Sequence, residues 1–216
     1  TKGYAFSIEP PFWKTNLFIA AIILIIVAGI GWLIWSLMQK LKAEKILNAF
    51  ATSLYSQNSI EDICWDTARN CVLKLGFTDC VIYWYEEDRK LLVQKAAYGP
   101  KNPWQREIYN SLAIPLGKGI VGSVASTGKM EVIKDTSKDP RYIVDDEQRL
   151  SEITVPIFID EKLFGVIDSE HPQRNFYSRY HARLLRKIAS ICAERIARYH
   201  AEEKLRGKIA RDLHDE

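Results

Sequence analysis

The chain has 216 residues and a formal net charge of +3. That length holds one well-buried domain plus accessory segments, and so mild a charge gives no reason to expect a nucleic-acid partner. Its four cysteines, Cys64, Cys71, Cys80 and Cys192, lack metal-ligand spacing. They read as reduced core thiols, with neither a disulfide framework nor a metal site expected.

Residues 4–15, YAFSIEPPFWKT, alternate like the end of a β-strand and stop at Pro10-Pro11. The stretch resembles the last strand of the immunoglobulin-like domain that follows periplasmic β-propellers in large sensor kinases. Residues 1–15 are therefore expected to be the end of an extracytoplasmic sensor domain. From Leu17 to Leu37 no charged residue occurs. About 20 apolar residues at 1.5 Å rise cross the hydrocarbon layer, and the run has no polar stripe, so 16–38 is expected to be a transmembrane helix. Trp13, Trp32 and Trp35 sit toward its ends, where amphipathic rings prefer the interface. Lys40, Lys42 and Lys45 crowd the C-terminal flank while Lys14 stands nearly alone on the other. The positive-inside bias puts residues after Lys40 in the cytoplasm, with membrane lipid as surroundings and the bacterial inner membrane as location.

Residues 39–58 continue as a linker helix, with Ala43, Leu47, Phe50 and Leu54 at 3/4 spacing. That seam suits a partner helix or the helix's own domain. Ser59 and Asp62 make a capping-box start for a helix over 60–75, which Gly76 ends. The period then turns to alternation. Residues 80–87 and 90–98 read as one hairpin, and 151–160 and 162–170 as a second across Asp160-Glu161. Between them, 114–135 reads as a strand, a Gly-rich bend, a short helix and another strand. A long helix follows from Ser178. Hairpins with flanking helices argue an antiparallel α+β domain. Gly117, Gly119 and Gly122 spell G-x-G-x-x-G, but no βαβ return strand follows, so the glycines are expected to permit a tight strand-to-helix turn instead of holding a dinucleotide.

The blocks IPLGKGIVGSVASTG, DTSKDPRY, SEITVPI and FGVIDSE, in that order over 46–198, resemble the GAF family. The resemblance implies a GAF-like six-stranded antiparallel sheet with flanking helices, and a small-molecule pocket under a short helix and the 135–150 loop. The free methionine-(R)-sulfoxide reductase branch shares G-K-G-x-x-G and S-E-I-x-V-P. Its cysteine positions fall here on Ser111, Val121 and Asp145, none of which can act as a thiolate. The cyclic-nucleotide branch needs an acidic pair where this chain has Tyr180 and His181, and no cysteine stands in the pocket-forming loops to attach a bilin. A haem ligand at His171 has only a lone loop histidine behind it. Candidate ligand contacts are Tyr83, Tyr85, Ser123, Asp135, Arg141, Tyr142, Glu152, Thr154 and Asp168. Two readings stay open, a ligand pocket of unknown specificity and a dimerising spacer that binds nothing.

In the last helix Leu184, Leu185, Ile188, Ile191, Cys192 and Ile196 would cover the sheet or a partner subunit. Beyond His200, Leu205, Ile209 and Leu213 step every four residues, a narrow stripe suited to pairing. The ending KLRGKIARDLHDE resembles the H-box of histidine kinases with R-x-L-H-D. Residues 199–216 would then begin a dimerisation and phosphoacceptor helix. The resemblance implies His214 as phosphoacceptor and Asp215 as the group that orients its ring or takes its other proton. It implies a homodimer, a cytoplasmic response regulator as partner, and ATP with Mg for a kinase domain beyond Glu216. No cofactor is expected in the chain itself, which alone should phosphorylate nothing. Another output after the same helix, such as a cyclase or a DNA-binding module, is the rival reading.

Overall fold

In a computed structural model, residues 11–102, 106–108 and 110–212 are described. The chain divides into two units after Lys45. The first carries most of helix α1, Asn16–Tyr55, entered through a 3-10 turn at Phe12–Lys14. Its side chains from Leu17 to Met38 are exposed on nearly every side. Forty residues make a rod of about 60 Å, twice what a bilayer core needs. α1 is thus long and apolar enough to cross a membrane. The expected strand at 4–10 lies outside the described residues.

The second unit begins with the last turns of α1 and continues through α2 (Ile60–Leu75), β1 (Cys80–Glu86), β2 (Leu91–Tyr98), β3 (Ala113–Pro115), α3 (Gly119–Thr127), β4 (Glu131–Ile133), β5 (Ser151–Ile159), β6 (Lys162–His171) and α4 (Arg179–Asp212). α2 starts where Ser59 Oγ accepts from the Asp62 amide at 3.0 Å and stops at Gly76, whose φ is +71°. The six strands form one antiparallel sheet in the order β3-β2-β1-β6-β5-β4.

Strand alternation sends side chains to two different cores. Cys80 and Ile82 of β1, Ile153, Val155 and Ile157 of β5 and Ile167 of β6 face the helices, where they meet Phe50 and Leu54 of α1, Ile63 and Ala68 of α2, and Leu185, Ile188 and Ile196 of α4. Leu47, Phe50 and Leu54 therefore pack on their own domain, and so do the apolar residues of α4 up to Ile196. Val81 and Tyr83 of β1 point the other way and pack with Leu92, Ile114, Val121 and Val124 under α3. Each face has its own layer, so the sheet separates a helix-packed core from a smaller one that the short helix covers.

The glycine motif belongs to this second layer. Gly117 and Gly119 have φ of +82° and +70°, conformations that side chains resist. A Cβ at Gly122 would stand 2.5 Å from the Pro115 carbonyl oxygen. The glycines fold α3 tightly against the end of β3, as a strand-to-helix turn requires.

Candidate functional site

Between the sheet and α3 lies a cavity of about 20 Å³, room for roughly one water molecule. Its apolar wall is Leu112, Ile114, Gly119, Ile120, Val121 and Ile143. Its polar wall is Tyr83 with four carboxylates, Asp145, Glu152, Asp168 and Glu170. Register explains the cluster. Glu152 stands opposite Glu170 and Thr154 opposite Asp168 across β5 and β6, so alternation brings all four to one face. Val81 of β1 pairs with Asp168 from the other side, and Tyr83 follows two residues on.

The acids are held by hydrogen bonds among themselves. Thr154 Oγ1 lies 2.7 Å from Asp168 Oδ1 and 3.1 Å from Glu152 Oε1. Burial pushes the Asp168 carboxyl up to about 7 against the Thr154 bond, and holds Glu152 and Glu170 well above the usual carboxylate range, with neighbouring acids adding to the effect. Behind them Asp79, buried, accepts from the Glu170 amide at 2.7 Å and is pushed up to about 8 by burial. Tyr83 is fully enclosed, which raises its phenol well above normal, and its oxygen accepts from Gln94 Nε2 at 2.8 Å.

Of the nine candidate contacts, Tyr83, Glu152 and Asp168 line the cavity, and Thr154 supports the two acids from below. Tyr142 stands beside them, half-buried, its hydroxyl accepting from the Arg149 amide at 2.9 Å. The other four lie elsewhere. Tyr85 packs at the edge of the smaller core. Ser123 and Arg141 belong to a polar clasp in which Arg141 bonds Glu131 at 2.7 Å, Asp139 at 2.8 Å and Ser123 at 3.0 Å. Asp135 is drawn to about 2 by Ser137 and then by Arg174 and Lys138, outside the cavity. Strand alternation could not separate these, because Ser123, Asp135 and Arg141 lie outside the strands and Tyr85 shares Tyr83's face of β1. His171 stacks on Phe176, ring centroids 3.5 Å apart, and is spent on packing. His214 and Asp215 lie outside the described residues.

Sequence reasoning missed Gln94, Lys101 and Glu170. Glu170 carried a signal, being two residues from Asp168 on one strand. Lys101, 2 % exposed, and Gln94, 3 %, carried none, since a lysine beside Gly99-Pro100 reads as a solvated turn. Asp145 was singled out only as a position lacking a cysteine. It lines the cavity, as does Val121, while Ser111 is exposed. The four thiols are buried in the helix-packed core. Burial pushes Cys64 up to about 12 despite a bond from Trp84, and Cys192 well above a thiol's usual value. A thiolate attack at the cavity has no thiol to perform it among the described residues. Asp79, Asp146 and Glu170 approach one another closely enough to hold an ion, but Arg149 already pairs with Asp146 at 3.0 Å and faces Asp79 at 3.9 Å.

Residues 57–197 match the family profile described as GAF domain. Protein YtsP of Bacillus subtilis is 33 % identical over 84 residues, 39 % of this chain and 52 % of its own length. The chain thus spans about half the length of that relative. Free methionine-R-sulfoxide reductase of Saccharomyces cerevisiae is 24 % identical over 135 residues, 62 % of this chain and 70 % of that enzyme. Among solved structures, the GAF domain from a phosphoenolpyruvate-protein phosphotransferase of Coxiella burnetii aligns with a TM-score of 0.67 at 16 % identity, covering 76 % of this chain and 98 % of that one. At that identity the likeness shows the fold alone.

Proposed function

The chain belongs to the GAF domain family, and on that premise we propose that it is the membrane-anchored sensing and relay part of a sensor histidine kinase. The observation that carries this reading is that the incoming and outgoing helices are fastened to each other within one domain. Arg195 of α4, buried, donates from Nε to the Leu54 carbonyl at 3.2 Å and from Nη2 to the Gln57 carbonyl at 2.8 Å. It thereby caps the end of α1, where free carbonyls and the helix dipole favour a cation. Arg198 lies 5.2 Å from the Tyr55 ring. A turn or shift of α1 is therefore borne directly by α4, whose exposed Leu205 and Ile209 then lead toward His214.

In this reading a parallel homodimer changes its helix packing and biases the kinase between two states. The ATP-binding domain would follow Glu216, and a cytoplasmic response regulator would take the phosphate from His214. The acidic cavity is the ligand end of the relay. Three buried carboxyls with no cation of their own, held toward the protonated form by burial, favour a small molecule bearing an ammonium group. On its entry they ionise and release their protons to solvent. A free amino acid fits that description, as does the substrate named for the yeast relative. Reductase activity itself lacks support here, because the thiols and the cavity lie on opposite faces of the sheet.

Native mass spectrometry of the chain released from detergent micelles tests the proposal. A dimer carrying extra non-covalent mass, displaced by a free amino acid, is expected. A monomer would count against the relay, and a dimer to which no amine binds would return the domain to a spacer.

A further inference from the structure

Lys101 lies just beyond β2 with its ammonium enclosed, an uncommon place for a lysine. It ion-pairs with Asp145 and donates to Gln94 Oε1 at 3.2 Å and to the Asn110 carbonyl at 3.0 Å. Gln94 Nε2 in turn donates to Asp145 Oδ2 at 2.6 Å and to the Tyr83 hydroxyl. The Leu112 amide fixes Gln94 Oε1 at 2.9 Å. Among the described residues no lysine or arginine comes within 4.0 Å of Glu152, Asp168 or Glu170. One cation therefore serves a four-carboxylate cavity, and it is paired with the only lining acid that lies outside a strand.

At about 20 Å³ the cavity is smaller than an amino-acid-sized ligand, which therefore enters by moving part of the wall. Tyr83, Glu152, Asp168 and Glu170 are locked in register across three strands. The Asp145 side is held by an ion pair and one amide. We propose that Lys101 is the cavity's resident cation, a tethered ammonium that keeps Asp145 closed over the acids until an ammonium-bearing ligand takes its place. This rests on the amine-ligand reading above and adds the residue that sets its specificity. A neutral molecule of equal size would have to part Lys101 from Asp145 and leave both charges uncompensated. An incoming ammonium re-pairs Asp145 as it enters, and the freed lysine has a flexible stem with which to reach water.

The whole protein is treated with a water-soluble carbodiimide and methylamine, and the carboxylates that form methylamides are read by peptide mass. In the wild type Asp145, Glu152, Asp168 and Glu170 react slowly relative to exposed Glu161. Lys101→Met is expected to speed coupling at Glu152 and Asp168 at least tenfold, while Lys101→Arg, which keeps a cation, stays near wild type. The four cysteines report on global folding through a thiol reagent and should remain unreactive. If Lys101→Met unfolds the domain, Asp145→Asn removes the same ion pair from the other side and should give the same acceleration. Unchanged coupling in a folded variant overturns the latch. The labelling reads the latch and the native mass reads the ligand, so failure of one is told apart from failure of the other.

Discussion

Asp168 and Asp79 give the domain an unusual dependence on pH. Their folded values, about 7 and about 8, stand above the ordinary 3.8. Between pH 4 and 8 the folded chain therefore binds more protons than the unfolded one at these carboxyls, and their contribution to stability falls as pH rises through the folded values. His171 and His181, lowered by burial, oppose it near pH 6. Glu152 and Glu170 act in the same direction. The melting temperature, followed by circular dichroism, should be higher at pH 5 than at pH 8. Asp168→Asn should flatten that slope, since an amide keeps a hydrogen bond to Thr154 and never ionises. A melting temperature that climbs from pH 5 to 8 would contradict the buried-acid description. At this scale half of the site was legible. Tyr83, Glu152, Thr154 and Asp168 follow from alternation in strands with strong β composition. Lys101 and Gln94 do not, because their meeting with Asp145 depends on how two connections cross, and no local pattern records that.

The elements themselves were legible almost throughout, for physical reasons that differ from one to the next. Ser59 and Gly76 mark the ends of α2 because cap geometry is local. Asp160 and Glu161, both at positive φ, make the β5–β6 turn between two apolar runs. The seam of Ala43, Leu47, Phe50 and Leu54 was ambiguous because a helix can bury one stripe against its own domain or a partner, and the packing of Phe50 and Leu54 at 0 % exposure decides it for those two. Two substitutions probe elements. Arg195→Met removes the side-chain donor from the Gln57 carbonyl and leaves the Leu54 carbonyl only the Gln57 amide, and should cost about 2 kcal/mol in urea unfolding. Gly122→Ala drives a methyl into the Pro115 carbonyl and should cost about 1–3 kcal/mol. Neutral behaviour of Gly122→Ala would mean that α3 does not lie against β3 as described.

For the molecule as a whole, α1 combines an apolar stretch fit for a bilayer with a last turn buried in the GAF core, and α4 runs on beyond that core to Asp212. The order of the glycine turn, the paired strands and the acidic strand end resembled the GAF family, and the family profile over residues 57–197 agrees. The kinase proposal joins the H-box resemblance at the end of the chain to the fastening of α1 and α4 through Arg195. Removing 16–38 should turn an integral protein, resistant to alkaline carbonate extraction, into one recovered in the supernatant, and recovery of the intact chain there would exclude a membrane span. The proposed relay is tested at its end by incubating the full-length protein in membranes with γ-labelled ATP and Mg. An acid-labile, alkali-stable phosphate that disappears in His214→Gln is expected, while label that survives that substitution, or none in the wild type, would remove His214 from the mechanism.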